Sequence, residues 1–110
     1  MPSELYGYIR VSTKEQNESR QLLALLEYGV TSANIYSDKQ SGGDFDRPGY
    51  KRLINELRPG DILVIKSIDR LGRNYGEILE QWRLITHELR CDVAVLDMPL
   101  LDTRRSRDLI

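Results

Sequence analysis

The most strand-like stretch of the chain is Ile62-Leu63-Val64-Ile65-Lys66. Its four consecutive aliphatic residues are typical of a strand that is buried on both faces within a parallel sheet. The residues before it, 58–61 (RPGD), contain proline and glycine and predict a turn that ends a helix and leads into the strand. A second strand is predicted over residues 5–11 (LYGYIRV), which are rich in aromatic and β-branched side chains.

The segment between these two strands begins with a predicted helix. Ser12 or Thr13 is expected to cap this helix, which runs to about Tyr28, and Gly29 fits its carboxyl end. The helical spacing of apolar residues predicts a buried stripe formed by Leu22, Leu23, Leu25 and Leu26.

The rest of the chain continues the alternation of strands and helices. A short strand is predicted over residues 34–37 (NIYS), a polar loop over 38–47 (DKQSGGDFDR) and a helix from Pro48 onward. A third helix is predicted over about 74–90, and residues 93–96 (VAVL) form the last strand. The apolar faces of these two helices consist of Leu53, Ile54 and Leu57, and of Ile78, Trp82, Ile85 and Leu89.

This alternation predicts an α/β fold with three layers, in which helices flank a mainly parallel sheet of about four or five strands. A chain of 110 residues makes one domain or part of one. In such sheets ligands bind in the crevice outside the carboxyl ends of the strands. Polar residues at those ends are therefore the candidates for a functional site.

Composition and charge exclude several classes of protein. Hydrophobic residues make up 40% of the chain and charged residues 30%, which is an ordinary globular balance. The 16 Lys and Arg residues against 17 Asp and Glu give a formal net charge of −1, which argues against a chain that holds nucleic acid by bulk charge alone. Twelve of the basic residues are arginine, the side chain suited to bidentate binding of phosphate.

The counts of cysteine and histidine narrow the possibilities further. A single cysteine, Cys91, excludes an internal disulfide framework, and a single histidine, His87, argues against a histidine-rich metal site. Cys91 is expected to be a packed thiol and His87 a partly exposed helix residue. No apolar run approaches the ~20 residues that span a membrane, and no secretory signal is readable at the N-terminus. A cytoplasmic protein is expected.

The end of the first predicted strand carries a hydroxyl and a guanidinium group. Because side chains alternate across a strand, Tyr8, Arg10 and Ser12 point to the same face. A hydroxyl at a helix N-terminus beside an arginine can bind an anion. The alternative is that Ser12 only caps the helix and that Arg10 lies on a solvated face.

The end of the third strand leads into Asp69-Arg70-Leu71-Gly72-Arg73. If these residues coil, Arg70 and Arg73 share a face, and Asp69 lies four residues before Arg73 and can brace it. Leu71 is expected to point inward, and Gly72 to permit a close backbone approach. Two arginines with one adjacent carboxylate at a ligand-binding edge favour a negatively charged ligand such as a phosphodiester. The alternative is a solvated helix start with a salt bridge.

The loop after the second strand and the first helix supply further polar groups. Asp38, Ser41 and Arg47 lie in or beside the glycine-containing loop, for which a plain surface loop is an equal alternative. Gln21 lies on the first helix, away from the side of Leu22 and Leu26, and is expected to be solvated.

Several short motifs together carry a resemblance to a known family. In chain order they are Tyr8-Ile9-Arg10-Val11-Ser12-Thr13, Gln21, Asp38-Lys39-Gln40-Ser41-Gly42, Asp46-Arg47, Gly60-Asp61 and Asp69-Arg70-Leu71-Gly72-Arg73. They resemble the catalytic domain of the serine recombinases, the resolvase and DNA-invertase family. The match covers nearly the whole chain, and the combination of the first motif with the last is highly specific.

The resemblance implies an enzyme that recombines DNA at specific sites. Ser12 is the expected nucleophile, which attacks a DNA phosphodiester to give a 5′-phosphoserine link and a free 3′-hydroxyl. Arg10, Arg70 and Arg73 are expected to surround the scissile phosphate, and Asp69 is one candidate for the acid that protonates the leaving oxygen. The supporting active-site residues that the resemblance implies are Tyr8, Gln21, Asp38, Ser41 and Arg47. A covalent ester conserves the phosphodiester energy, so neither a metal nor another cofactor is expected.

The resemblance also implies partners, and it implies a helix and a DNA-binding module that follow this domain in family members. The expected partners are DNA and, for a full-length family member, further copies that form a homodimer and a synaptic tetramer. In the family a long helix with further catalytic residues and the dimer interface follows this domain, and a DNA-binding module follows the helix. Residues 1–110 are therefore interpreted as a catalytic core truncated before that helix, of bacterial, phage or mobile-element origin.

Two other classes of function remain open from the sequence. The first is a catalytically idle regulatory domain of the same fold that binds an anion or a partner. The second is a nucleotide-binding or signalling α/β domain. It ranks last because the sequence contains neither a G-x-x-x-x-G-K-[ST] loop nor a G-x-G-x-x-G loop after the first strand.

Overall fold

The structure of the protein is a computed structural model that describes residues 3–12, 18–40 and 47–98, with the side chains of Ser12 and Gln40 outside the description. A turn of 3₁₀ helix precedes the second strand (Ser32–Asn34), and another follows the third strand (Ile68–Arg70). The strands are β1 (Leu5–Ser12), β2 (Ile35–Gln40), β3 (Ile62–Ile65) and β4 (Asp92–Val95), and the α-helices are α1 (Glu18–Tyr28), α2 (Pro48–Glu56) and α3 (Tyr75–Arg83).

The four strands form one parallel sheet in the order β2-β1-β3-β4. Tyr8 lies opposite Ile65, the last residue of β3, so the rest of β1 extends beyond β3 and pairs with β2 alone. In that extension Arg10 lies opposite Asp38. The predicted α/β class with a parallel sheet is confirmed. The end of β1 lies beyond the end of β3, so segments that follow β3 can contact it.

Each face of the sheet is covered by helices, which confirms the predicted three layers. Leu25 of α1 packs on one face, whereas Tyr50 and Leu53 of α2 pack on the other. The chain moves in one direction across the sheet from β1 to β2 and in the other direction from β2 through β4. Since parallel crossovers are right-handed, this reversal places α1 opposite α2 and α3. The carboxyl end of β1 lies at the point of reversal, where α/β sheets bind ligands.

The burial pattern of α1 differs from the predicted leucine stripe. Gln21 and Leu25 are the buried residues, at 2% and 0% exposure, because residues four apart share a helix face. Leu22, Leu23 and Leu26 are between 36% and 58% exposed. The predicted stripe was wrong for these three leucines, and the expectation of a solvated Gln21 was wrong. The predicted cap at Thr13 lies outside the described residues.

The second strand is longer than the predicted one. It continues through Asp38 to Gln40, because pairing with β1 extends it beyond its apolar residues. The predicted loop over residues 38–47 was therefore wrong for its first three residues.

Pro48 begins α2, and Gly29 follows α1 with a φ of 122°, as predicted. The third predicted helix is α-helical through Arg83 and continues as a π-helical turn.

Within the described ranges, no helix has both the length and the apolar character needed to cross a lipid bilayer.

Candidate active site

The polar residues at the carboxyl edge of the sheet are organised around Asp38, which is buried at 6% exposure. Its carboxylate accepts hydrogen bonds from the Tyr8 hydroxyl at 2.7 Å, the Gly49 amide at 2.8 Å and the Tyr50 amide at 2.9 Å. Both amides belong to the first turn of α2, where backbone N–H groups lack helical partners and a negative charge is favourable. Asp38 thus ties β1, β2 and the start of α2 together.

Gly49 and Tyr8 allow the carboxylate of Asp38 to be buried here. A Cβ atom on Gly49 would lie 2.5 Å from the Ser37 carbonyl oxygen and 2.9 Å from Asp38 Oδ1, so the helix approaches the strand only because residue 49 is glycine. Tyr8 is fully buried, and this burial together with the hydrogen bond to Asp38 raises the pKa of its hydroxyl far above the ordinary value. Tyr8 therefore stays a neutral donor to the carboxylate.

Arg10 and Arg70 make a reciprocal pair of hydrogen bonds beside the part of β1 that extends beyond β3. Arg10 Nη2 donates to the carbonyl oxygen of Asp69 at 2.7 Å, and Arg70 Nη1 donates to the carbonyl oxygen of Arg10 at 2.7 Å. These bonds hold the 3₁₀ turn after β3 against β1. Burial lowers the pKa of Arg10, and the positive charges of Arg70 and Arg47 lower it further. Such a concentration of guanidinium groups favours an anion.

Arg47 joins the same edge from the start of α2 and is only 8% exposed. Its Nη1 donates to the Leu71 carbonyl oxygen at 2.9 Å, and its guanidinium carbon lies 4.0 Å from the centre of the Tyr50 ring, a cation–π distance. Leu71 is fully buried, which confirms the prediction that it points inward. Arg47 therefore holds the segment after the 3₁₀ turn against α2.

Arg73 is braced by a residue other than the predicted one. Asp69 Oδ1 accepts a hydrogen bond from Ser67 Oγ at 2.6 Å and lies 3.8 Å from Arg70 Nε. Arg73 Nε and Nη2 instead each lie 3.3 Å from an oxygen of Glu77. The predicted Asp69–Arg73 pair was wrong because the 3₁₀ turn ends before Arg73, so helical spacing does not connect the two residues.

A new helix start explains why Glu77 replaces Asp69. Asn74 caps α3 by accepting a hydrogen bond from the Glu77 amide at 2.9 Å. A Cβ atom on Gly72 would lie 2.6 Å from Glu77 Cβ and 2.8 Å from the Ile78 amide nitrogen, which confirms the predicted close approach at Gly72. This packing places the Glu77 carboxylate beside Arg73.

Among the described side chains, that of Gln21 is a predicted site residue that is not joined to this cluster. Gln21 lies in α1, which covers the opposite face of the sheet, and neither polar atom of its side chain has a hydrogen-bond partner among the described residues. Ser12 is the last residue of β1 and its backbone pairs with Gln40, but its side chain lies outside the description, as does Ser41. The convergence of the arginines on the Ser12 hydroxyl stays a prediction.

Tyr50 and Glu77 are site residues that the sequence analysis did not single out. Glu77 follows Asn74 by three residues, a spacing typical of a helix N-terminus, and this signal could have located it. No comparable signal exists for Tyr50, because its contacts with Tyr8 and Arg47 join separate elements.

The described residues contain no group of three or more His, Cys, Asp or Glu side chains that could hold a metal ion. Cys91 is buried at 3% exposure and His87 is exposed, as expected for a packed thiol and a surface helix residue.

Comparison with known proteins identifies the family. The family model described as "Resolvase, N terminal domain" matches residues 5–110. The chain belongs to the resolvase N-terminal domain family. This membership confirms the resemblance found in the motifs of β1, β2 and the turn after β3.

Several members of the resolvase family are similar to this chain. The R46 site-specific recombinase of Escherichia coli is 40% identical over 76 residues, and the serine recombinase gin of Escherichia phage Mu is 45% identical over 75 residues. These matches cover 69% and 68% of this chain but only 40% and 38% of the relatives. The chain spans about two fifths of the length of the relatives it matches.

A solved structure shows the same fold. The N-terminal catalytic domain of TP901-1 integrase superposes with a TM-score of 0.66 at 25% sequence identity. The superposition covers 88% of this chain and 79% of that domain.

Proposed function

We propose that this resolvase-family domain catalyses strand cleavage and religation in site-specific DNA recombination, with Ser12 as the nucleophile. The observation that carries the proposal is the interlocking of Arg10 and Arg70 beside the end of β1, the strand whose last residue is Ser12. The names of its relatives, a site-specific recombinase and a serine recombinase, support the same class of reaction.

In the proposed reaction the Ser12 hydroxyl oxygen attacks the phosphorus of a DNA phosphodiester. The bond from phosphorus to the 3′ oxygen breaks, which leaves a 5′-phosphoserine link and a 3′ oxygen that takes up a proton, while the serine gives up its own proton. Religation reverses these steps with a new 3′-hydroxyl. Negative charge develops on the non-bridging oxygens, and fixed guanidinium donors stabilise that charge.

The contacts at the carboxyl edge suggest that some of the arginines bind the phosphate and that another supports them. A guanidinium carries five N–H donors, and Arg10 and Arg70 each use one on a backbone carbonyl that fixes the position of the group. We assign to these two and to Arg73 the binding of the scissile phosphate. Arg47, which is buried against Tyr50 and the Leu71 carbonyl, supports them from α2.

The remaining predicted residues are given supporting or acid roles. Asp38 and Tyr8 hold the start of α2 against β1. Gln21 and Ser41 are assigned to the surroundings of the nucleophile, and Asp69 is retained as a candidate acid.

The proposed partners concern the whole protein. We propose DNA as the substrate, a homodimer as the unit that binds one site and a tetramer as the complex that exchanges strands. The relatives extend well beyond the matched region, which is consistent with a further part that supplies assembly and site recognition. We propose that the reaction takes place in the cytoplasm.

A covalent trap tests the proposal. The complete protein is incubated with a nicked duplex that carries its recombination site, and protein-linked DNA is measured on a denaturing gel. We expect an adduct with the wild type and none with Ser12→Ala. The matched control is Ser32→Ala, an exposed serine in the turn before β2, which should leave the adduct unchanged. DNA binding without an adduct in the wild type would instead indicate the catalytically idle domain.

A further inference from the structure

Glu77 contacts Arg73 through three nitrogen atoms. Arg73 Nε and Nη2 form a fork with the two carboxylate oxygens at 3.3 Å each, and the Arg73 amide nitrogen donates to Glu77 Oε1 at 2.7 Å. The Arg73 side chain is 52% exposed and that of Glu77 is 28% exposed. A carboxylate thus fixes both the backbone and the head group of an arginine that extends toward solvent.

The position of Glu77 is itself fixed by its surroundings. Its amide donates to the Asn74 side chain, and its Cβ packs so closely against Gly72 that a side chain there would collide with it. The hydrogen bonds from Arg73 lower the pKa of Glu77, which favours the charged form of the carboxylate further. Preceding residues are anchored as well, since the Leu71 carbonyl accepts a hydrogen bond from Arg47.

We propose that Glu77 is a positioning residue, which orients the guanidinium of Arg73 so that it can bind the scissile phosphate while it remains paired with Glu77. The inference rests on the proposed function, in which Arg73 binds that phosphate. Because the Arg73 side chain is 52% exposed while it is paired with Glu77, a phosphate can approach the guanidinium from the solvent side. Phosphate binding and the Glu77 pair are therefore compatible.

A role in stability alone does not account for this arrangement. Ion pairs whose side chains are partly exposed to solvent, as in Arg73–Glu77, contribute little to the stability of a fold. Orientation matters more for catalysis, because a displacement of about 1 Å in a reacting group costs about 10²-fold in rate. The opposite role, in which Glu77 competes with phosphate for Arg73, makes an opposite prediction and can be tested directly.

The first test separates positioning from competition through rate and affinity. Glu77→Gln is expected to lower the single-turnover cleavage rate at saturating DNA about tenfold. The dissociation constant for DNA should be unchanged or lower, because the variant removes a negative charge near the phosphate. Glu80→Gln, which makes the same charge change at an exposed position of α3, is the matched control and should alter neither quantity.

A double-mutant cycle checks that Glu77 acts through Arg73. In an Arg73→Ala background, Glu77→Gln should have no further effect on the cleavage rate. A faster rate with tighter binding in Glu77→Gln alone would show competition, and an unchanged rate would show a surface pair only. Either result would overturn the inference, and so would an equal effect with and without Arg73.

The second test does not require cleavage, so its failure is distinguishable from that of the proposed function. The Nε–H resonance of Arg73 is followed by ¹H–¹⁵N NMR in the 110-residue chain, with inorganic phosphate as the probe. We expect slow solvent exchange of this proton with and without phosphate, and its loss in Glu77→Gln but not in Glu80→Gln. Release of the proton on addition of phosphate would mean that phosphate displaces Glu77 and would overturn the inference.

Discussion

Asp38 shows how one side chain can organise several segments. It accepts hydrogen bonds from Tyr8 on β1 and from the Gly49 and Tyr50 amides on α2 while itself lying in β2. Buried donors that lose their acceptor keep the full cost of their desolvation. The energetic importance of Asp38 therefore comes from the three donors that it satisfies.

Asp38→Asn tests this role. The amide group retains one oxygen acceptor and places an NH₂ donor against a neighbouring donor, so we expect the free energy of unfolding to fall by about 1.5–3 kcal/mol. Urea denaturation measures the loss, and hydrogen exchange should accelerate at the Gly49 and Tyr50 amides. Lys39→Gln serves as the control, because Lys39 lies on the same strand as Asp38 and forms only an exposed ion pair with Glu18 of α1. Equal stabilities of the two variants would contradict this role.

Two glycine substitutions should change stability in opposite directions. Gly49→Ala would bring a Cβ within 2.5 Å of a backbone oxygen, so we expect a loss of about 1–3 kcal/mol. Gly76→Ala in α3 has its nearest contact at 3.4 Å, and helix propensity predicts a gain of about 0.5–1 kcal/mol. Thermal unfolding of both variants checks the prediction. A stable Gly49→Ala variant would show that α2 can move away from β2.

Arg70 is expected to contribute to both catalysis and stability, and its replacement should lower the cleavage rate by more than the loss of folded protein explains. Arg70→Ala should lower the cleavage rate by about 10²–10³-fold if Arg70 is a phosphate donor. Loss of its charge-assisted bond to the Arg10 carbonyl should cost about 1.5–3 kcal/mol of unfolding free energy. Single-turnover cleavage and urea denaturation measure the two effects. Loss of activity only in proportion to loss of folded protein would make Arg70 a structural residue.

Among the secondary-structure elements, the segment between β3 and α3 depends most on contacts from elsewhere. It contains one short 3₁₀ turn, and its carbonyl groups at Asp69 and Leu71 accept hydrogen bonds from Arg10 and Arg47. These contacts come from elements that precede it by 24 to 59 residues. The segment therefore takes its shape from its contacts with β1 and with the start of α2.

The junction between α3 and β4 has a different basis. A π-helical turn, Leu84–Glu88, ends α3, and Arg90 adopts a φ of 57° before the strand begins. The Cys91 thiol then lies buried beside the Arg58 carbonyl at 3.2 Å. Burial, together with the charge of Asp61, raises the pKa of Cys91 to about 11.

The reactivity of Cys91 should report on this junction. At pH 8 the folded thiol is neutral and buried, so we expect reaction with a disulfide reagent to be slow and to accelerate strongly in urea. An unfolded thiol ionises at about pH 8.5, so the contribution of Cys91 to stability should be constant below that pH and should fall as the pH rises toward 11. Cys91→Ser should remove the loss that begins at about pH 8.5, measured as the urea midpoint against pH. The loss that begins at about pH 10, where unfolded tyrosines ionise but the buried Tyr8 and Tyr50 do not, should remain. Rapid labelling of the native protein at pH 8 would contradict the buried position.

For the molecule as a whole, the distribution of charge matters more than its sum. The formal net charge is −1, yet Arg10, Arg47 and Arg70 converge on the carboxyl edge of the sheet. A local positive region attracts phosphate even in a weakly acidic protein. We therefore expect the isolated chain to bind DNA weakly and through this edge.

The salt dependence of DNA binding tests where the phosphate contacts lie. Replacing one arginine that contacts a phosphate should reduce the slope of log affinity against log salt by about 0.9. We expect this change for Arg10→Gln. Arg58→Gln is the matched control, because Arg58 is exposed beside Asp61 at the opposite edge of the sheet. Equal changes for both variants would indicate nonspecific binding by net charge.

Features that depend on neighbouring residues were predictable from the sequence. The aliphatic run of β3, the proline that begins α2 and the glycine that follows α1 each act through local backbone chemistry. Leu71 and Gly72 were also predicted correctly, since the turn allows one inward side chain and one close approach. The motif at β1 and the turn after β3 was enough to indicate the family, which the family match confirms.

Other features depended on contacts between elements that are distant along the chain. The burial of Gln21, the extension of β2 through Asp38, and the reciprocal bonds of Arg10 and Arg70 all arise where one element meets another. Periodicity describes which residues share a face, but it does not state which face meets the sheet. The sequence by itself thus determined the order and type of the elements and the family. The partners of the arginines were decided only by the tertiary structure, because long side chains reach groups that packing alone brings within hydrogen-bond distance.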